Sequence, residues 1–126
     1  MSDTLYLDMA DVLALHSRQV EKFGGADGIR DAGLLEAAIN RPQSGYYADL
    51  HEEAAALWES LTMNHCFVDG NKRVGFASVY VFLRLNGLRI VASENEVLGF
   101  ILGSIEQGTF TKDNLDAWLR SNTAAS

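Results

Sequence analysis

Residues 65–75 read HCFVDGNKRVG, and they join two segments of helical periodicity. Before them, Ala54, Leu57, Trp58 and Leu61 recur at helical spacing. After them, VGFASVYVFLRLNG from Val74 puts apolar residues on every side of a helical wheel, as expected of a central, buried helix. A polar run at the start of such a helix is either an ordinary capped turn with a surface Lys-Arg pair, or a site.

Working outward, the periodicity is helical almost throughout. Asp8 caps a first helix with the stripe Met9, Val12, Leu13, His16, Val20 and Phe23, stopped by Gly24 and Gly25. Asp31 caps a second, carrying Leu34, Leu35, Ala38 and Ile39 and ending before Pro42. Asp49 with Glu52 opens a third in the manner of a capping box, running from about Leu50 into Asn64. Asn86 and Gly87 end the central helix. Leu88 to Val91 reads as an extended piece too short and isolated to make a sheet. Ser93 with Glu96 starts a fifth helix with Val97, Leu98, Ile101, Leu102 and Ile105 inward, ending at Gly108. Thr111 caps a last helix through Leu115, Trp118 and Leu119. The expected fold is all-α, about six helices around the central buried one, in a single domain spanning residues 1–126.

Composition narrows the function. The chain has 126 residues, 48% of them hydrophobic, which is enough for one ordinary core. A net charge of −7 argues against direct nucleic-acid binding, which needs a basic face. Cys66 is the single cysteine, so no intrachain disulfide forms. The start MSDTLYLDMA lacks the basic and apolar regions of a signal peptide. The near-apolar run from Val74 to Leu83 is far short of the roughly 20 residues that span a membrane. A soluble, cytoplasmic protein is expected.

As chemistry, the stretch has the parts of a phosphoryl- or nucleotidyl-transfer site. Free N–H groups and the helix dipole at the start of a helix favour an anion. Gly70 lets a ligand approach the backbone, and Asn71 can cap the helix or donate to a phosphate oxygen. Lys72 and Arg73 oppose the dipole, at a cost of about 0.3–1 kcal/mol each, unless phosphates sit there. Asp69 can hold Mg²⁺, which takes one or two carboxylates plus substrate phosphates. His65 suits a general base, because an unperturbed histidine titrates near pH 6.5 (about). A phosphate-binding loop of the G-x-x-x-x-G-K-[ST] kind is excluded, because no strand precedes the turn and the order is Gly-Asn-Lys-Arg.

The same residues resemble the signature of the Fic/Doc family, His-x-Phe-x-(Asp/Glu)-Gly-Asn-x-Arg: His65, Phe67, Asp69, Gly70, Asn71, Lys72 and Arg73 fall in order. A second block, GIRDAGLLEAAINRPQ at residues 28–43, resembles the Doc-like branch. The resemblance implies that His65 takes a proton from a target hydroxyl and that Asp69 binds Mg²⁺. It implies that Gly70, Asn71, Lys72 and Arg73 cradle the nucleotide phosphates, with Arg73 counted among the catalytic residues, and that Phe67 plugs the core. The adenylylating branch has glycine in place of Lys72 and a second arginine in place of Phe76. Lys before Arg is the Doc pattern, which implies transfer of the γ-phosphate of ATP to a threonine of elongation factor Tu and arrest of translation. Many relatives have proline in place of Cys66. TFTKDN, residues 109–114, is the nearest match to the family's inhibitory motif and reads instead as the cap of the last helix, so that restraint falls to a separate antitoxin protein.

Two rivals stand beside this reading: transfer of AMP or another nucleotide to a protein side chain, and a silent nucleotide- or partner-binding module. The remaining candidates have plainer readings. His16 is a packing histidine on an apolar stripe, and His51 is solvated near two glutamates. Arg30 and Asp31 pair or cap. Tyr46 and Tyr47 lie in a loop able to form a flap. Arg84 and Arg89 are surface charges. A Cys66 thiol nucleophile is disfavoured, since sequence neighbours point apart, and zinc lacks suitably spaced ligands.

Overall fold

The computed structural model describes residues 3–126 and contains six helices: α1 (Met9–Phe23), α2 (Ala32–Asn40), α3 (Leu50–Met63), α4 (Asn71–Leu85), α5 (Glu94–Glu106) and α6 (Lys112–Asn122). A 3-10 turn, Arg41–Gln43, follows α2, with Pro42 where its missing N–H costs nothing. Each cap expected from the sequence forms where a side-chain oxygen reaches the N3 amide: Asp8, Asp31, Asp49, Ser93 and Thr111 accept from Asp11, Leu34, Glu52, Glu96 and Asn114.

The core is gathered on α3 and α4. Trp58 is fully buried on α3, with Phe110 and Trp118 at 5.6 Å and Phe76 and Phe100 at 5.9 Å between ring centroids. One indole therefore ties α4, α5 and α6 to α3. Close approach of α3 and α4 depends on Gly75: a Cβ there would run into the hydroxyl of Thr62. Since α3 leads into the turn and α4 leads out of it, this rigid pair fixes both ends of residues 64–70.

Several expectations are corrected. Leu88–Ile90 does form a sheet, β1, pairing antiparallel with β2 (Thr123–Ala125) in the register Leu88 to Ala125 and Ile90 to Thr123. The partner strand comes from a tail of small residues with no alternating pattern to announce it. Leu98 and Leu102 are 55% and 49% exposed, because α5 buries only the face of Val97, Ile101 and Ser104. The central helix is not covered all round, since Tyr80 and Leu85 reach the surface. The box at α3 is half closed: the Glu52 carboxylate accepts from Ala48 N–H at 2.7 Å and from Lys112 at 3.0 Å, not from Asp49 N–H. His51 is not merely solvated, lying 2.9 Å from the hydroxyl of Thr123.

Candidate active site

The site is built on the turn from α3 to α4. Helix α3 ends at Asn64, and His65 follows with φ +52°, the one positive φ outside glycine among the described residues. That is the place after a helix end usually filled by glycine. A left-handed conformation costs an ordinary residue about 1 kcal/mol, so His65 is held there by its surroundings. Its side chain is exposed, while Cys66 is fully buried next to it. Burial, with Asp31 nearby, pushes the Cys66 thiol up, so it is a packing group and not a nucleophile.

Phe67 is 1% exposed and plugs the core, as expected. Its ring lies against His16 of α1, centroids 3.8 Å apart and planes 8° from parallel. His16 does more than pack: its Nε2 donates to the Asp69 carbonyl at 2.8 Å, and its Nδ1 lies 3.5 Å from the Asp27 carboxylate. The carboxylate of Asp69 is oriented by two backbone donors, Gly70 N–H at 2.9 Å and Ala26 N–H at 3.3 Å. A Cβ on Gly25 would stand 2.7 Å from the same carboxylate, so only glycine lets this segment close over it. Asp69 remains exposed to solvent.

Gly70 precedes α4 with φ +77°, and α4 has no side-chain cap. The first-turn N–H groups of Asn71, Lys72 and Arg73 therefore have no partner within the helix. Asn71 does not cap. Its carboxamide oxygen accepts from Phe67 N–H and its nitrogen donates to Phe67 C=O, each at 3.0 Å, which closes the loop on itself. What Asn71 offers an anion is its backbone N–H. Lys72 and Arg73 are exposed, and the Arg73 guanidinium rests 4.8 Å over the ring of Phe23 at the end of α1. Phe76, where a second arginine would stand in the adenylylating pattern, is half-buried against Trp58.

Residues 28–31 run along the outer side of the turn. Val68 N–H donates to Gly28 C=O, Arg30 and Asp31 N–H both donate to Cys66 C=O, and Ile29 bridges Phe67. Arg30 and Asp31 do not pair. Asp31 caps α2, and the Arg30 guanidinium reaches the carbonyls of Asn64 and His65. The sequence carried a signal for His16, since a buried imidazole needs a partner for its N–H. It carried none for Arg30, whose partners are backbone oxygens.

Two open clefts flank Asn64. One of about 540 Å³ lies between α2 and α3 and is lined by Ala37, Asn40, Arg41, Ser60 and Asn64; the other, of about 360 Å³, is lined in part by Glu59, Met63 and Phe110. Arg41 is turned inward, bonded to Glu59 at 2.7 Å and to Tyr47 at 2.7 Å, while Tyr46 is 86% exposed. Thr111 caps α6, which accounts for TFTKDN. Arg84 and Arg89 are exposed. No described helix is long and apolar enough to cross a membrane. Among the described residues no group of three or more His, Cys, Asp or Glu gathers to hold a metal ion.

Comparison with known proteins agrees with this arrangement. The model of the Fic/DOC family matches residues 6–83, which takes in α1 to α3, the whole turn and α4 as far as Leu83. Over 94 residues the chain is 46% identical to the protein named Toxin Doc of Mycolicibacterium smegmatis, covering 71% of this chain and 70% of that one. Over 92 residues it is 33% identical to the Protein kinase doc of Escherichia phage P1, covering 70% and 73%. The turn, the helices that hold it and these relatives together place the chain in the Fic/DOC family.

Proposed function

We propose that this chain is a Doc-like toxin of a toxin–antitoxin pair. It transfers the γ-phosphate of ATP to a threonine hydroxyl of a protein, elongation factor Tu, and thereby arrests translation. The observation that carries the reading is the start of α4: an uncapped helix, a left-handed glycine, and Lys72 and Arg73 in the first turn. Two cations there oppose the helix dipole in the free protein and favour it once phosphates bind. One relative is named a protein kinase and both are named Doc, which supports phosphoryl transfer over AMP transfer. Lys72 and Phe76 support the same choice, standing where the adenylylating branch has glycine and arginine.

In this reading the N–H groups of Asn71, Lys72 and Arg73, with the two side-chain charges, bind the phosphates. Asp69 fits a magnesium ligand: one exposed, oriented carboxylate, which is the usual protein share of such a site. Bound magnesium would neutralise charge on the transferring group. His65 accepts the proton of the acceptor hydroxyl as its oxygen bonds to the γ-phosphorus, and ADP departs. The cleft of about 540 Å³ beside Asn64 is open, which suits a polypeptide acceptor next to His65. Restraint comes from a cognate antitoxin, because the TFTKDN segment is engaged as a helix cap.

The test is incubation with Mg²⁺, a bacterial lysate, and ATP labelled at either the γ or the α phosphate. Label from the γ position alone, with a gain of about 80 Da on the target, supports the reading. A gain of about 329 Da and label from the α position means AMP transfer instead. ATP binding with no label on any protein means a silent binding module.

A further inference from the structure

The geometry points to Arg30 as a positioning residue for the catalytic base: its guanidinium holds His65 in the left-handed conformation from which the imidazole meets the acceptor. The inference rests on the reading of His65 as the base. Arg30 Nε donates to the His65 carbonyl at 2.5 Å, and Nη2 donates to the Asn64 carbonyl at 3.2 Å. The Asn64 carbonyl is one of those that α3 leaves unpaired, the His65 carbonyl follows it directly, and the helix dipole is negative at this end. A planar, charged fork matches two successive carbonyls, which a lysine ammonium cannot do as a unit.

The second observation is the backbone it holds. His65 is in a conformation that glycine adopts freely and histidine does not. An unconstrained turn would relax toward negative φ, swinging the imidazole away from its present direction. Beyond the fork, the turn is joined to the 28–31 segment only by main-chain bonds starting at Cys66, one residue past the strained position. Asn71 and His16 act later still, on Phe67 and Asp69. So Arg30 is the described side chain that grips His65 itself. It does so from outside the cradle of Asp69, Lys72 and Arg73, so that base and phosphates are set by different groups.

The experiment compares wild type, Arg30→Ala and Arg30→Lys for transfer of either label from ATP, with fold checked by circular dichroism. Arg30 is exposed, and the main-chain bonds of residues 28–31 remain in both variants. The expected result is a fall in kcat on the order of a hundredfold in Arg30→Ala, as a misplaced base gives, with KM for ATP nearly unchanged. Arg30→Lys recovers only part of the loss. A loss expressed wholly in KM for ATP would assign Arg30 to nucleotide binding and overturn the inference, as would unchanged kcat in both variants. Which label moves reports on the reaction, and the ratio between variants reports on Arg30, so the two readings fail separately. Should wild type transfer neither label, amide hydrogen exchange decides. Faster exchange at Phe67 and Val68 by about tenfold in Arg30→Ala supports the grip, and identical protection rejects it.

Discussion

His16 lies flat against Phe67 and at the same time donates through Nε2 to the carbonyl of Asp69. One buried imidazole thus supports two parts of the turn, the Phe67 plug and the main chain at Asp69. His16→Ala removes the stacked ring and strands a carbonyl, for a loss of about 3 kcal/mol, read as a lower urea midpoint. His16→Phe keeps a ring against Phe67 but cannot donate. It should therefore retain most of the stability and lose turnover, and a fully active His16→Phe would separate Asp69 from His16.

Lys72 sits in the first turn of α4, where a cation is unfavourable in the absence of an anion. Lys72→Gln should leave the nucleotide-free protein as stable as wild type, or more stable by about 0.3–1 kcal/mol, while ATP binding weakens. Melting curves with and without ATP and Mg²⁺ check both halves. A variant that loses stability without ATP would mean Lys72 has a structural partner.

Gly75 meets Thr62 where α3 and α4 are closest. Gly75→Ala should cost about 1–3 kcal/mol through overpacking. Thr62→Ala in the same chain removes the obstructing hydroxyl and should return much of that loss, so the two changes are non-additive in denaturation. Additive effects would place the strain elsewhere.

The Arg120 guanidinium donates to both oxygens of Asp49 at 2.8 Å, and with the Glu52 N–H it holds the Asp49 carboxyl below the usual carboxylate range. A depressed folded pKa contributes stability that is fully present above the unfolded value of about 4 and is lost as pH falls through the folded one. The stability difference between wild type and Asp49→Asn should therefore be constant near neutrality and shrink below about pH 4. A difference that persists into acid would assign the effect to the helix cap alone.

Cys66 is buried next to His65 and belongs to the core. Folded protein should resist thiol alkylation, and Cys66→Ala should transfer phosphate at close to the wild-type rate. Rapid modification under native conditions would show that the turn opens.

Five of the six helices were legible from a side-chain cap, and at Asp8, Asp31 and Ser93 the first buried residue, Val12, Leu35 or Val97, follows one turn later; α4, which has no such cap, was legible from its apolar run. The identity of the turn was legible too, since Gly70, Phe67 and the Lys72–Arg73 pair are a local pattern. What the sequence concealed is everything that holds the turn from a distance. Gly25 and Ala26 close on Asp69, Arg30 grips carbonyls, and Asn71 folds back on Phe67. These contacts use backbone atoms, which have no letters of their own. The β1–β2 pairing was missed for the same reason: Thr123–Ala125 contributes hydrogen bonds and almost no side-chain signal.

The bond from Val68 to Gly28 joins residues far apart in the chain, with all of α2 and α3 between them. A polypeptide still leaving the ribosome can therefore carry the complete HCFVDGNKRVG motif and yet have no working site. The first two helices must already have docked before the histidine and the carboxylate acquire their orientations. For a chain read as harmful to the cell that makes it, this order delays catalytic competence until tertiary assembly, and it gives a binding protein an interval in which to reach a still harmless chain.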